Sequence, residues 1–155
     1  MNEPMITTDE DLALATGDGE QLMPGKLLAS ELRVLCVDDN VDAADSLGTV
    51  LGLMGYRTAV AHDAASGLEQ VAGFRPRACI LDITMPGMNG YELAQRLRAT
   101  EHGEEMLLVA LTALGDYASL ERMADSGFDL YYAKPVSLTL LATVLNDFAE
   151  KGRPV

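Results

Sequence analysis

Five short apolar runs, each followed by a stretch with helical spacing, constrain this chain more than any other feature. "RVLCV" (33–37), "RTAVA" (57–61), "RACIL" (77–81), "MLLVAL" (106–111) and "DLYYA" (129–133) read as strands. Between them, "VDAADSLGTVLGLMG" (41–55) places Ala44, Leu47, Leu51 and Met54 on one helical face, with Gly55 as its stop. Residues 64–74 read as a second helix through Leu68, Val71 and Ala72. "YELAQRLRA" (91–99) reads as a third through Leu93, Ala94 and Leu97. Residues 116–127 give a fourth, and "SLTLLATVLNDFAEK" (137–151) a fifth, capped by Ser137. Strands apolar on both faces suit a parallel sheet covered on both sides. The expected fold is a doubly wound α/β domain with five parallel strands and right-handed crossovers, for which a flavodoxin-like order 2-1-3-4-5 is one arrangement.

Composition fits one such domain. The chain has 155 residues, no Trp and 5% aromatic residues, so its core must be aliphatic. It carries 24 acids against 11 bases. A net charge of −13 disfavours contact with nucleic acid or anionic lipid. The acids concentrate before the first strand: Glu3, Asp9, Glu10, Asp11, Asp18, Glu20 and Glu31 face Lys26 alone. Residues 1–31 are therefore expected to be an acidic extension, residues 32–152 the folded domain, and 153–155 a short tail. Leu12, Leu14, Leu27 and Leu28 give the extension an alternative reading as a docking segment. Cys36 and Cys79 lie in apolar runs outside any CxxC pair, which reads as buried thiols in a reducing compartment. Their strands should be adjacent, so the two sulfurs are expected near one another but unbridged. No apolar stretch approaches a membrane span and no secretory leader is visible, so the expected location is cytoplasmic.

Ligands of open α/β sheets bind at the carboxyl ends of the strands. There the sequence places Asp38, Asp39 and Asn40 after the first strand, Asp82 after the third, Thr112 after the fourth, and Lys134-Pro135 after the fifth. In the order 2-1-3-4-5 the first and third strands are neighbours, and three carboxylates crowd together. Their repulsion favours a hard divalent cation, Mg²⁺. Lys134 and Thr112 suit the oxygens of a phosphoryl group, and Asp82, the most central acid, is the candidate nucleophile. Each residue alone also has a structural reading. Asp38, Asp39 and Asn40 could cap a helix, Asp82 could make an Asx turn, Thr112 could cap the next helix, and Lys134 could be a solvated strand-end lysine. The shared rim favours the functional reading.

With these pieces in place, "VLCVDDN" (34–40), "ILDITMPGMNGYEL" (80–93), "ALTA" (110–113) and "YYAKPV" (131–136) resemble the receiver domain of two-component response regulators over residues 33–150. The resemblance implies Asp82 as phosphoacceptor. It implies Asp39 as a direct Mg²⁺ ligand, Asp38 as a ligand through water, and the Thr84 carbonyl as a further ligand. Thr112 and Lys134 would hold the phosphoryl oxygens, with a cis Lys134–Pro135 peptide, and Tyr131 would be the switch aromatic. It implies phosphoryl transfer from a phosphohistidine or a small phosphodonor, followed by hydrolysis of the acyl phosphate. A shift of Thr112 and Tyr131 would then rebias a protein–protein face. Such a chain is no enzyme beyond its own phosphorylation and dephosphorylation. The expected partners are a histidine kinase or histidine phosphotransfer protein and a protein target, with no nucleic acid and no membrane. Both a stand-alone regulator or phosphorelay intermediate and a hybrid-kinase receiver fit, the opening "MNEPMITT" favouring the first. A haloacid-dehalogenase-type phosphatase would want an acid at position 84, where this chain has Thr84. A dinucleotide enzyme would want GxGxxG after the first strand, where it has "DDNVDA". A pseudo-receiver would not need the intact acids and lysine. Thr84 and Leu114 are expected to flank the path of attacking water. Leu114→Asn should therefore speed loss of the phosphoryl group, measured as decay of the phosphorylated mass; an unchanged rate would contradict the shielding role.

Overall fold

The computed structural model describes residues 31–113 and 120–154. Expectations about residues 1–30, including the four leucines, and about Leu114 lie outside these residues. The strands are β1 (Arg33–Val37), β2 (Arg57–Ala61), β3 (Ala78–Asp82), β4 (Leu107–Thr112) and β5 (Leu130–Ala133). The helices are α1 (Val41–Leu53), α2 (Ala64–Glu69), α3 (Val71–Phe74), α4 (Gly90–Arg98), α5 (Leu120–Asp125) and α6 (Leu138–Lys151). All strand pairs are parallel, in the order β2-β1-β3-β4-β5. The expected fold is thus the observed one.

Strand alternation sorts the core into two layers. Leu35, Val37, Cys79, Leu81, Leu108 and Ala110 point towards α2, α3, α4 and α5, meeting Val71, Leu93, Leu97 and Met123. Val34, Cys36, Ala78, Ile80, Leu107 and Val109 point the other way, towards Leu51 of α1 and Leu141, Leu145 and Phe148 of α6. β3 and β4 are buried at every position, which is why their sequences show no polar alternation. At the lower edge of β4, the Arg98 guanidinium donates to the carbonyls of Gly103, Met106 and Gly127 and pairs with Asp129 at 2.8 Å. Asp129 also accepts from the Leu108 N–H and from Arg153. A buried charge pair satisfied this fully locks the β4–β5 entry without leaving an orphan charge.

Two local expectations change. The helix expected over 64–74 is interrupted at Gln70, whose side chain donates to the Val60 carbonyl of β2; Ala72, beyond the break, is exposed. Met54 is not on the inner face of α1. It is the C-cap and 41% exposed, because the chain turns away at Gly55 with φ 105°. The cysteines are neighbours on adjacent strands, near enough for Cys36 to help raise Cys79, and unbridged as expected, though they do not face each other. Cys36 lies opposite Ile80 and Cys79 opposite Leu35, so the two side chains enter opposite core layers. Both are free thiols, pushed up to about 12 by burial. A thiol reagent should accordingly label neither cysteine in the folded chain and both after unfolding without reductant; one label or none after unfolding would contradict this packing.

Candidate phosphoryl-acceptor site

The site forms where β1 and β3 end. Val37 lies opposite Leu81, so one step further places Asp38 opposite Asp82. Asp38 and Asp82 are 6% and 5% exposed, while Asp39 faces solvent. One carboxylate oxygen from each of the three lies within 4.8 Å of the others. The chain leaves β1 sharply here. Asp38 Oδ1 accepts from the Asn40 N–H, and Asn40 caps α1 by accepting from the Ala43 N–H. Asn40 is therefore the helix cap, and the two aspartates are free to face the rim.

The turn after β3 shapes the other wall. Asp82 Oδ1 accepts from the Thr84 N–H at 3.2 Å, the Asx-type bond that its position allowed. The N-terminus of α4 approaches this turn so closely that a Cβ on Gly90 would lie 2.5 Å from the Asp82 carbonyl oxygen. Gly90 instead donates its N–H to the Ile83 carbonyl, and Asn89 caps α4 by accepting from the Glu92 N–H. "MNGYE" is thus a helix start fitted against the strand that carries Asp82.

Lys134 enters from β5. Its N–H donates to the Thr112 carbonyl, joining the ends of β4 and β5, and the Lys134–Pro135 peptide is cis. Its ammonium reaches Asp38 Oδ2 at 3.0 Å and Asp82 Oδ1 at 3.3 Å. That Asp38 holds this lysine more closely than Asp82 does was not legible in the sequence. Thr112 is 1% exposed, and its hydroxyl is the buried side-chain oxygen left without a partner among the described residues. An unmade hydrogen bond of this kind costs on the order of 1–3 kcal/mol, a cost that an arriving oxygen would remove. Tyr131, three residues before Lys134, is 42% exposed on β5. Sequence reasoning therefore found every residue of the cluster. It missed the Gly90 contact, for which the Asn-Gly pair before an apolar helix was the available signal.

Charge decides the chemistry of this cluster. Burial, then the Asp38 carboxylate, push Asp82 up to about 6, against the pull of Lys134 and the Thr84 N–H. Burial lowers Lys134, but its hydrogen bond to Asp38 and the two carboxylates outweigh that and raise it. One ammonium thus bridges two buried carboxylates, with Asp39 a third acid at the rim. The donor set is all oxygen, partly exposed through Asp39, and suits a hard divalent cation that keeps water ligands.

Residues 34–146 match the family described as the response regulator receiver domain. This chain belongs to that family. It is 32% identical over 123 residues to the response regulator MprA of Mycobacterium avium, covering 79% of this chain and 53% of that protein. The Mycobacterium ulcerans protein of that name is 36% identical over 107 residues, covering 69% of this chain and 45% of that one. The chain thus spans about half the length of the curated relatives it matches. Among solved structures, a CheY-like receiver domain protein of Methanospirillum hungatei superposes with TM-score 0.65 at 29% identity, covering 75% of this chain and 94% of that one. The receiver domain of a signal transduction histidine kinase from Syntrophus aciditrophicus gives 0.68 at 26%, covering 76% and 89%. Receivers of this family accept phosphoryl groups in two-component signalling, where histidine kinases supply them. No helix of the described residues is long and apolar enough to cross a membrane.

The raised pKa of Asp82 makes a signed prediction. The folded chain holds this proton more tightly than the unfolded chain, whose carboxyl titrates near 3.8. Stability is therefore lost as pH rises from the unfolded value through about 6, and the loss is complete above it. In chelator, Asp82→Asn should raise the unfolding free energy at neutral pH by about 1–2 kcal/mol and leave it unchanged below about pH 4. Urea denaturation at the two pH values measures this; a destabilised variant at neutral pH would contradict it.

Proposed function

We propose that Asp82 is the phosphoacceptor of this receiver, and that residues 32–152 form the working unit between the acidic extension 1–31 and the tail 153–155. The observation that carries the assignment is the pairing of a buried, cation-bridged Asp82 with an unbonded Thr112 hydroxyl at the neighbouring strand end. Asp82 offers a carboxylate oxygen to phosphorus. The phosphohistidine P–N bond, or that of a small phosphodonor to its leaving group, breaks as the acyl phosphate forms. Lys134 releases Asp38 to meet the phosphoryl oxygens, and Thr112 donates its hydroxyl to another. Asp39, Asp38 through water, Asp82 and the Thr84 carbonyl would hold Mg²⁺, which supplies charge neutralisation when bound. The chain catalyses its own phosphorylation and dephosphorylation in this reading, and is otherwise no enzyme.

Movement of Thr112 towards the phosphoryl group vacates space behind it, and the exposed Tyr131 turns inward, altering the β5 face seen by a protein target. An apolar cleft of about 580 Å³ beside Asp38 and Lys134, lined by Ala43, Leu47, Pro135 and Leu138, suits a histidine kinase or histidine phosphotransfer protein presenting its phosphohistidine. The buried thiols fit a cytoplasmic setting. A net charge of −13 disfavours direct nucleic-acid contact by this domain.

Incubation with acetyl phosphate and Mg²⁺ should add one phosphoryl mass to the wild type, none to Asp82→Ala, and none to the wild type in chelator. Lys134→Ala should slow the addition by about 100-fold or more, the scale of a lost charge-stabilising contact. Equal labelling of wild type and Asp82→Ala would remove the assignment.

A further inference from the structure

The end of the sheet opposite Asp82 has its own charge pattern. Arg33 begins β1 and lies in register with Arg57, which begins β2. Arg77 precedes β3 and donates its N–H to the Arg33 carbonyl. Arg75 ends α3, and its carbonyl accepts from Arg33 Nε at 2.6 Å. Four of the chain's 11 basic residues therefore meet at one pole of a protein with net charge −13. Among the described residues the arginine ion pairs are those of Arg96, Arg98 and Arg153; Arg33, Arg57, Arg75 and Arg77 make none. Of the acids near this pole, Glu92 pairs with Arg96, while Glu101 and Glu105 line the cavity beside His102. Burial, then Arg57, Arg77 and Arg75, lower the pKa of Arg33, so the cluster is one of mutual repulsion.

Three further observations point to an occupant. A cavity of about 940 Å³ opens here, with Arg33, Arg75 and Arg77 beside the apolar side chains of Leu68, Val71 and Met106. The two non-glycine residues of positive φ among the described residues, Arg75 at 55° and His102 at 67°, both line it. Glycine would be cheaper at either position, so the side chains there are kept against a backbone cost. The chain itself enters the fold at this pole, since Arg33 opens β1 directly after Glu31 and Leu32.

We propose that the acid-rich segment 1–30 docks in cis on this arginine pole. Its six carboxylates, Glu3, Asp9, Glu10, Asp11, Asp18 and Glu20, oppose Lys26 alone. Its leucines match the apolar part of the cavity. Tethering gives the segment an effective concentration in the millimolar range, so weak charge pairs suffice to hold it. The segment covers the cationic end of the receiver and leaves the Asp82 rim, at the other end of the strands, open to its phosphodonor. Anionic partners in solution are thereby kept off the pole.

A paramagnetic label tests this on the full chain. Cys36 and Cys79 are buried, so Ala15→Cys supplies one reactive thiol within the segment. Amide resonances of Arg57, Arg75, Arg77 and His102 should lose most of their intensity. They should regain it in about 0.5 M salt, where the screening length falls to roughly 4 Å. They should also regain it in Arg57→Glu/Arg75→Gly, a pair of changes at exposed positions, the second of which suits the backbone. Full intensity at the pole, loss spread over another face, or loss that survives both salt and charge change would each overturn the proposal. So would loss seen only when labelled chain is mixed with isotope-enriched unlabelled chain, which would make the contact one between two copies.

Discussion

Two buried carboxylates sharing one ammonium are the constraint around which this molecule is arranged. Asp38 and Asp82 face each other across adjacent strand ends, and Lys134 bridges them at 3.0 and 3.3 Å. With Asp39 on the rim the cluster remains in charge deficit. Burying such a set costs stability unless a cation joins it. The cost persists because the surrounding structure holds it in place: apolar β1 and β3, the Asn40 cap that turns the chain into α1, and the α4 N-terminus pressed against the Asp82 carbonyl. A site of this kind is poised for a divalent ion and a phosphoryl group, and family membership gives that poise its meaning.

The same sheet carries opposite charge at its two ends. Carboxylates gather where the strands finish and arginines where β1, β2 and β3 begin. A parallel sheet makes this segregation simple, because every strand contributes its first residue to one pole and its last to the other. In the proposed function, phosphotransfer uses one pole. The acidic segment ahead of β1 matches the other in charge and in position along the chain.

The sequence was legible where local physics and global fold agree. Strand alternation of the core and the α4 face of Leu93, Ala94 and Leu97 could be read because burial enforces periodicity. The rim residues could be read because α/β topology brings strand ends together whatever the details of packing. What escaped depends on contacts between elements. The helix is interrupted at Gln70, whose side chain bonds to β2, and Met54 is exposed where the chain turns at Gly55. The cysteines could be read as unbridged neighbours because adjacent strands were foreseen, but the register that sets their side chains apart was not. A one-residue offset sends Cys36 and Cys79 into different core layers. The arginine pole was visible as the first letters of "RVLCV", "RTAVA" and "RACIL", yet it acquires significance only once the strands are laid side by side.

The central claim, that folding gathers an under-neutralised carboxylate cluster fit for one divalent ion, is tested most directly by titrating Mg²⁺ into the full chain while following backbone amide resonances. The account predicts saturable, one-site shifts confined to residues 38–40, 82–84 and 112, abolished in Asp39→Asn. Shifts absent from those residues, or scattered without saturation over the acidic surface, would contradict it.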